Sequence, residues 1–172
     1  MPIEAGWVAL LAQRLRSQSI DYQIVNASIS GETTLGGRNR IQQTLETHRP
    51  AIVVVELGAN DGLRGASIKS IYDNLATIIE ACLKSKAAVV LVGMQLPPNY
   101  GMNYTQKFQA TFSQLAQDYS TELVPFLLAG FGEKREYFQP DGIHPNEMAQ
   151  EKIIDSIWSV LQPMITADPV SN

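Results

Sequence analysis

Residues 51–63 read Ala-Ile-Val-Val-Val-Glu-Leu-Gly-Ala-Asn-Asp-Gly-Leu, and the class of fold follows from that stretch. Its first part, Ala51–Leu57, is a nearly continuous β-branched run, as expected for a strand covered on both faces. The polar Gly58–Ala59–Asn60–Asp61 reads as a loop at the strand's carboxyl end, where open α/β sheets bind ligands. Working outward, Tyr22–Ala27, Ala87–Met94 and Glu122–Phe126 read as further strands. Helical stripes separate them. Trp7, Leu11 and Leu15 sit four apart and predict a helix over Ala5–Ser17. A second helix is predicted over Arg38–His48, stopped by Pro50. Ile71, Leu75, Ile78, Ile79 and Cys82 share one stripe, and Tyr104, Phe108, Phe112, Leu115 and Tyr119 mark another. Ile153, Ile154, Ile157, Trp158 and Leu161 line a closing helix after Asn146, an N-cap residue type. Such alternation predicts a parallel α/β sheet with helices on both faces. One domain over 1–165 is expected, with a loose tail at Thr166–Asn172.

Composition narrows the partners. The chain has 172 residues, with 13 Lys and Arg against 17 Asp and Glu, a formal charge of −4. An acidic surface without basic clusters argues against nucleic acid and anionic membranes. Cys82 is the only cysteine and His48 and His144 the only histidines, so neither an internal disulfide nor a Cys/His metal site is expected. The longest apolar run, Ala87–Gly93, is far short of the roughly 20 residues that span a bilayer, so stable membrane insertion is not expected. Met1-Pro2-Ile3-Glu4 shows neither the basic nor the apolar region of a signal peptide.

Three stretches carry chemistry. In Asp141-Gly142-Ile143-His144-Pro145 a two-residue spacer lets a carboxylate in a turn reach the ring of a histidine on the same loop. An acyl-transfer site needs that pairing: the imidazole takes the nucleophile's proton, and the carboxylate fixes its tautomer and stabilises the imidazolium. Taken alone, the motif reads equally as a turn and helix cap. The second stretch holds Asn60, whose side-chain amide could donate to a developing oxyanion, or instead close an Asx-turn together with Asp61. The third, Ala27–Thr34, places Gly31 where a backbone N–H could serve the same oxyanion; it also reads as a connector capped by Thr33 or Thr34.

Together these blocks resemble the SGNH (GDSL-type) hydrolases, closest to bacterial thioesterase/protease/lysophospholipase enzymes and arylesterases. Val25–Gly31, Val55–Gly65, Leu96–Gly101 and Asp141–Asn146 carry the likeness. The resemblance implies a three-layer αβα, flavodoxin-like sheet of order 2-1-3-4-5. It makes Gly31 and Asn60 oxyanion donors, His144 the general base and Asp141 its orienting acid. It implies rim loops at Gly62–Ser67 and Pro97–Gly101, with Tyr100 and Ile143 as substrate contacts. It also implies small acyl esters or thioesters as substrates, no cofactor, a monomer, and a periplasmic location for the full-length protein. Two other classes fit the same blocks: a binding module that keeps the cleft, and a carbohydrate deacetylase.

The family's first block, a strand followed by Gly-Asp-Ser-Leu, does not occur in these residues, and no serine precedes Ser17. Ser28 and Ser30 are not expected to replace it, because a triad serine needs an assured base. Met1-Pro2 falls in the connection that follows the block in relatives, so Met1 is expected to be an internal methionine of a longer protein. In-frame upstream DNA should then encode a strand and a Gly-Asp-Ser; a stop codon with neither would overturn that expectation. The absent strand would be the central one, between Tyr22–Ala27 and Ala51–Leu57. Residues 1–172 alone are therefore expected to be inactive and unstable.

Overall fold

A computed structural model describes residues 6–166 of the chain. Of these, 6–26 and 127–166 form one compact unit and Ala27–Phe126 another. The second unit contains three parallel strands, β1 (Ile52–Val55), β2 (Ala88–Val92) and β3 (Glu122–Val124), in the order β1-β2-β3. Val55 lies opposite Leu91, and Leu91 opposite Leu123. Three parallel strands in chain order are compatible with the last three of the expected order 2-1-3-4-5. The strands are shorter than their apolar runs. Pro125, which has no N–H, follows the last residue of β3.

Helices α2 (Thr34–His48), α4 (Ile68–Lys84) and α5 (Met102–Tyr119) pack as neighbours, α4 in the middle, with α4 and α5 against β2. Side chains alternate across a strand, so Val89 and Leu91 share one face with Val55. There they meet Ile71, Leu75, Ile78, Ile79 and Cys82 of α4 and Phe108, Phe112 and Leu115 of α5. The two phenyl rings pack edge to face, centroids 5.3 Å apart. Cys82 is the small buried hydrophobe its stripe position predicts, and burial pushes its thiol up to about 11.

Two local expectations are corrected. Helix α2 begins four residues earlier than Arg38, although Gly36 and Gly37 argue against helix by propensity. The Thr33 side chain accepts the Gly36 N–H at 3.2 Å and caps the first turn. Gly37 packs against the tip of the Leu57 side chain, which a Cβ at 2.5 Å would force to shift. The second correction concerns Tyr22–Ala27, which forms no strand. A strand exists by virtue of its ladder, and the described residues give this segment none. Tyr22 is 41% and Val25 53% exposed. Among the described residues β1 lies at the edge of the sheet: Ile52, Val53 and Val54 are only half-buried, whereas Val89–Val92 of β2 are fully buried.

In the first unit, α1 (Trp7–Ser17) packs on α6 (Glu147–Thr166). Leu11 and Leu15 of α1 and Ile153, Ile154, Ile157 and Leu161 of α6 are buried. The Trp7 N–H donates to the Gln150 side chain at 3.0 Å, and Arg14 bridges Asp155 at 2.8 Å and Glu151 at 3.4 Å. Asn146 caps α6 by accepting the Ala149 N–H. The helix runs through Pro163 to Thr166, so the tail reading fails at its first residue; the rest of that tail, Ala5 and Met1-Pro2 lie outside the described residues. No helix among the described residues is long and apolar enough to cross a membrane.

Candidate active site

Asp141 and His144, the expected acid and base, are brought together by a turn. Gly142 N–H donates to the Gln139 carbonyl at 2.9 Å, closing a β-turn with Pro140 second and Gly142 fourth. Proline and glycine at those places are the type I pattern, and Asp141 keeps a negative φ, as that turn requires. The carboxylate then faces back along the loop. Asp141 Oδ1 accepts the N–H groups of Ile143 at 2.9 Å and His144 at 3.0 Å, while Oδ2 lies 2.8 Å from His144 Nδ1. The His144 ring bond and those two backbone N–H groups hold the Asp141 carboxyl down at about 2. An ionised carboxylate only accepts, so Nδ1 carries the hydrogen and the Nε2 lone pair is left to act as a base.

This makes a checkable pH dependence. The folded value lies below the ordinary 3.8, so ionised Asp141 supports the folded loop above that pH. The support is lost as pH falls from 3.8 towards 2. A carboxyl-carbon NMR titration should give a midpoint near 2; a midpoint at the ordinary value would show that the turn does not hold the charge.

Gly31 and Asn60, the expected oxyanion donors, lie in the other unit. Glu32 N–H donates to the Ile29 carbonyl at 3.2 Å, and Gly31 sits third in that turn with φ +75°. Only the third place of a type II turn demands positive φ, which explains the glycine. The closing bond uses the Glu32 N–H and leaves the Gly31 N–H outside the turn. Asn60 is not in a loop: Gly58, at φ +110°, starts a short helix α3 (Ala59–Leu63) that carries it. Its Nδ2 donates to the Glu32 carbonyl at 3.0 Å, so Asn60 and the Gly31 loop are directly joined. A primary amide has a second N–H to offer.

Beneath them lies a network that sequence reasoning missed. Buried Asp61 accepts from Thr34 twice, from its N–H at 2.9 Å and its hydroxyl at 2.6 Å. The same hydroxyl accepts Asn74 Nδ2 at 3.1 Å, and Asn74 Oδ1 accepts from Arg38 at 3.2 Å. The carboxylate also meets the N-terminal dipole of α2. Asp61 therefore closes no Asx-turn of its own; it ties α3 to the start of α2. Nothing in the local sequence signals partners 27 and 40 residues apart.

The rim positions divide. Tyr100 ends a 3₁₀ turn and donates to the Leu63 carbonyl at 3.1 Å, while Tyr104 donates to that of Ala66 at 2.6 Å. The turn before α5 is thus fastened to the end of α3, and the first turn of α5 to the loop that follows α3. Ile143 is 50% exposed on the acid–base loop. Asp141, Ile143 and His144 belong to one unit, and Gly31, Asn60 and Tyr100 to the other. Among the described residues no three His, Cys, Asp or Glu side chains are grouped to hold a metal ion.

The GDSL-like lipase/acylhydrolase pattern matches residues 3–152, covering the acid–base loop and both oxyanion stretches. The chain belongs to that family. Among family relatives, the esterase TesA of Pseudomonas aeruginosa is 44% identical over 160 residues, covering 93% of this chain and 80% of its own length. The thioesterase 1/protease 1/lysophospholipase L1 of Escherichia coli is 38% identical, covering 98% of this chain and 79% of its own length. The crystal structure of TesA superposes with a TM-score of 0.93 at 43% identity, covering 95% of this chain and 91% of that one. The α/β fold with its small parallel sheet is that of SGNH hydrolases.

Proposed function

We propose that these residues serve hydrolysis of carboxylic esters and acyl thioesters through an acyl-serine. The observation that carries this is the Asp141–His144 pair, in which the carboxylate fixes the tautomer a general base requires. His144 Nε2 takes the serine proton as the hydroxyl attacks the acyl carbonyl, then returns it to the leaving alkoxide or thiolate. The N–H of Gly31 and the amide of Asn60 stabilise the charge that develops on the carbonyl oxygen. Tyr100 and Ile143 contact the acyl or leaving group. That relatives are named esterase and thioesterase supports both leaving-group classes. We assign the chain to one hydrolase domain, working as a monomer on small substrates, and the full-length protein to the periplasm.

Residues 1–172 contain no Gly-Asp-Ser, so we further propose that they do not turn over esters alone. The test compares two proteins: residues 1–172, and the same residues fused behind a family member's strand and Gly-Asp-Ser block. The fusion should hydrolyse p-nitrophenyl acetate and a long-chain acyl-CoA, and the unfused chain should match the blank. An inactive but folded fusion would overturn the hydrolase assignment. Turnover by the unfused chain would overturn the second proposal.

A further inference from the structure

We propose that Arg135 is a positioning residue for His144: its guanidinium gathers three consecutive backbone carbonyls and so sets the turn from which Asp141 reaches the imidazole. Arg135 opens a 3₁₀ turn, Arg135–Tyr137, just ahead of the acid–base loop. One of its terminal nitrogens donates to the carbonyls of Phe138 at 3.1 Å and Gln139 at 2.6 Å, and the other to that of Pro140 at 2.8 Å. Consecutive carbonyls of an extended chain point in alternating directions. Three in a row can meet one cation only if the chain curls around it. Asp141 is the next residue along the curl.

The remaining bonds show what the curl supports. The Gln139 carbonyl held by Arg135 is the one that accepts the Gly142 N–H, so the cation and the turn share an atom. The Gln139 N–H in turn donates to the His144 carbonyl at 2.8 Å, and Phe138 bridges antiparallel to Pro145. Arg135 therefore holds the leading end of the segment that fixes the carboxylate and the ring, and Gln139 and Phe138 tie that end to His144 and Pro145. Arg135 is exposed, and among the described residues it forms no ion pair. Its donors go to backbone carbonyls instead. A planar fork of five N–H groups suits three acceptors spread along a curl, whereas a lysine ammonium is a point donor on a flexible stem.

This role presupposes Asp141 and His144 as acid and base, and the two ideas fail differently. The experiment uses the serine-restored fusion with Arg135→Ala and Arg135→Lys. In the parent, long-range ¹⁵N–¹H spectra at mildly alkaline pH should show the His144 ring as the Nδ1–H tautomer. In Arg135→Ala the Nε2–H form should appear, the Asp141 carboxyl midpoint should rise from about 2 towards 3.8, and kcat should fall roughly 100-fold at nearly constant KM. Millimolar guanidinium should restore part of the loss in Arg135→Ala, and Arg135→Lys should stay impaired. Unchanged tautomer and carboxyl titration in Arg135→Ala would overturn the proposal, even if the variant were less stable. Parent-like spectra in Arg135→Lys would overturn it too, by showing that charge alone suffices. An inactive parent whose ring spectra still respond to Arg135→Ala would sink the hydrolase assignment and leave Arg135's role standing.

Discussion

His144→Ala in the serine-restored protein is expected to lower kcat by about a million-fold, with the fold and substrate KM little changed. The magnitude is that of removing the base from a comparable triad, where loss of one member costs nearly as much as loss of all. Without the imidazole nothing takes the serine proton, and a neutral hydroxyl is a poor nucleophile. Asp141→Asn keeps a side chain of the same shape, yet should cost roughly ten-thousand-fold, because an amide can present an N–H to Nδ1 and select the wrong tautomer. Asn60→Ala removes one oxyanion donor, and about 100- to 1,000-fold is the expected loss. Steady-state rates on p-nitrophenyl acetate separate these three. A His144→Ala protein within tenfold of the parent would remove His144 from the mechanism.

Asp61→Ala is expected to be the most damaging change to stability near the site. It strands the Thr34 N–H and hydroxyl in a buried place, at about 1–3 kcal/mol for each group left unpaired. Together that is roughly 2–6 kcal/mol, a large part of the 5–15 kcal/mol that holds a typical domain. The variant also loses the tie between α3 and α2, so Asn60 and the Gly31 loop should drift apart. Asp61→Asn retains an acceptor and should cost less. Urea midpoints of the serine-restored protein test the order. Equal midpoints for the parent and Asp61→Ala would mean that Thr34 finds another partner at no cost.

How much of this was legible depended on how local each interaction is. Asp141 and His144 meet across three residues in a turn written by Pro140 and Gly142, and the pairing could be read directly from the chain. β1 and β2 announce themselves as β-branched runs, the pattern of a parallel strand covered on both faces, whereas β3 offers only Glu-Leu-Val. Tyr22–Ala27 carries the same signal and forms no strand, since side-chain pattern specifies a preference and the ladder must be supplied by a neighbour. Gly36 and Gly37 hid the first turn of α2; the Thr33 cap offsets part of the propensity cost of about 1 kcal/mol per glycine. The bonds of Asp61 to Thr34 and of Thr34 to Asn74 are fixed only by tertiary structure, so no spacing rule could have found them.

The phenol contacts of Tyr100 and Tyr104 bear on how adaptable the proposed acyl-binding rim would be. Each borrows a carbonyl from the stretch at the end of α3, so the two flanking segments are expected to move as a single flap. Opening it for a bulkier guest means parting both contacts in one step, at about 1–3 kcal/mol in all. Tolerance towards acyl size is then a threshold set by two tyrosines, and a graded plasticity is not expected.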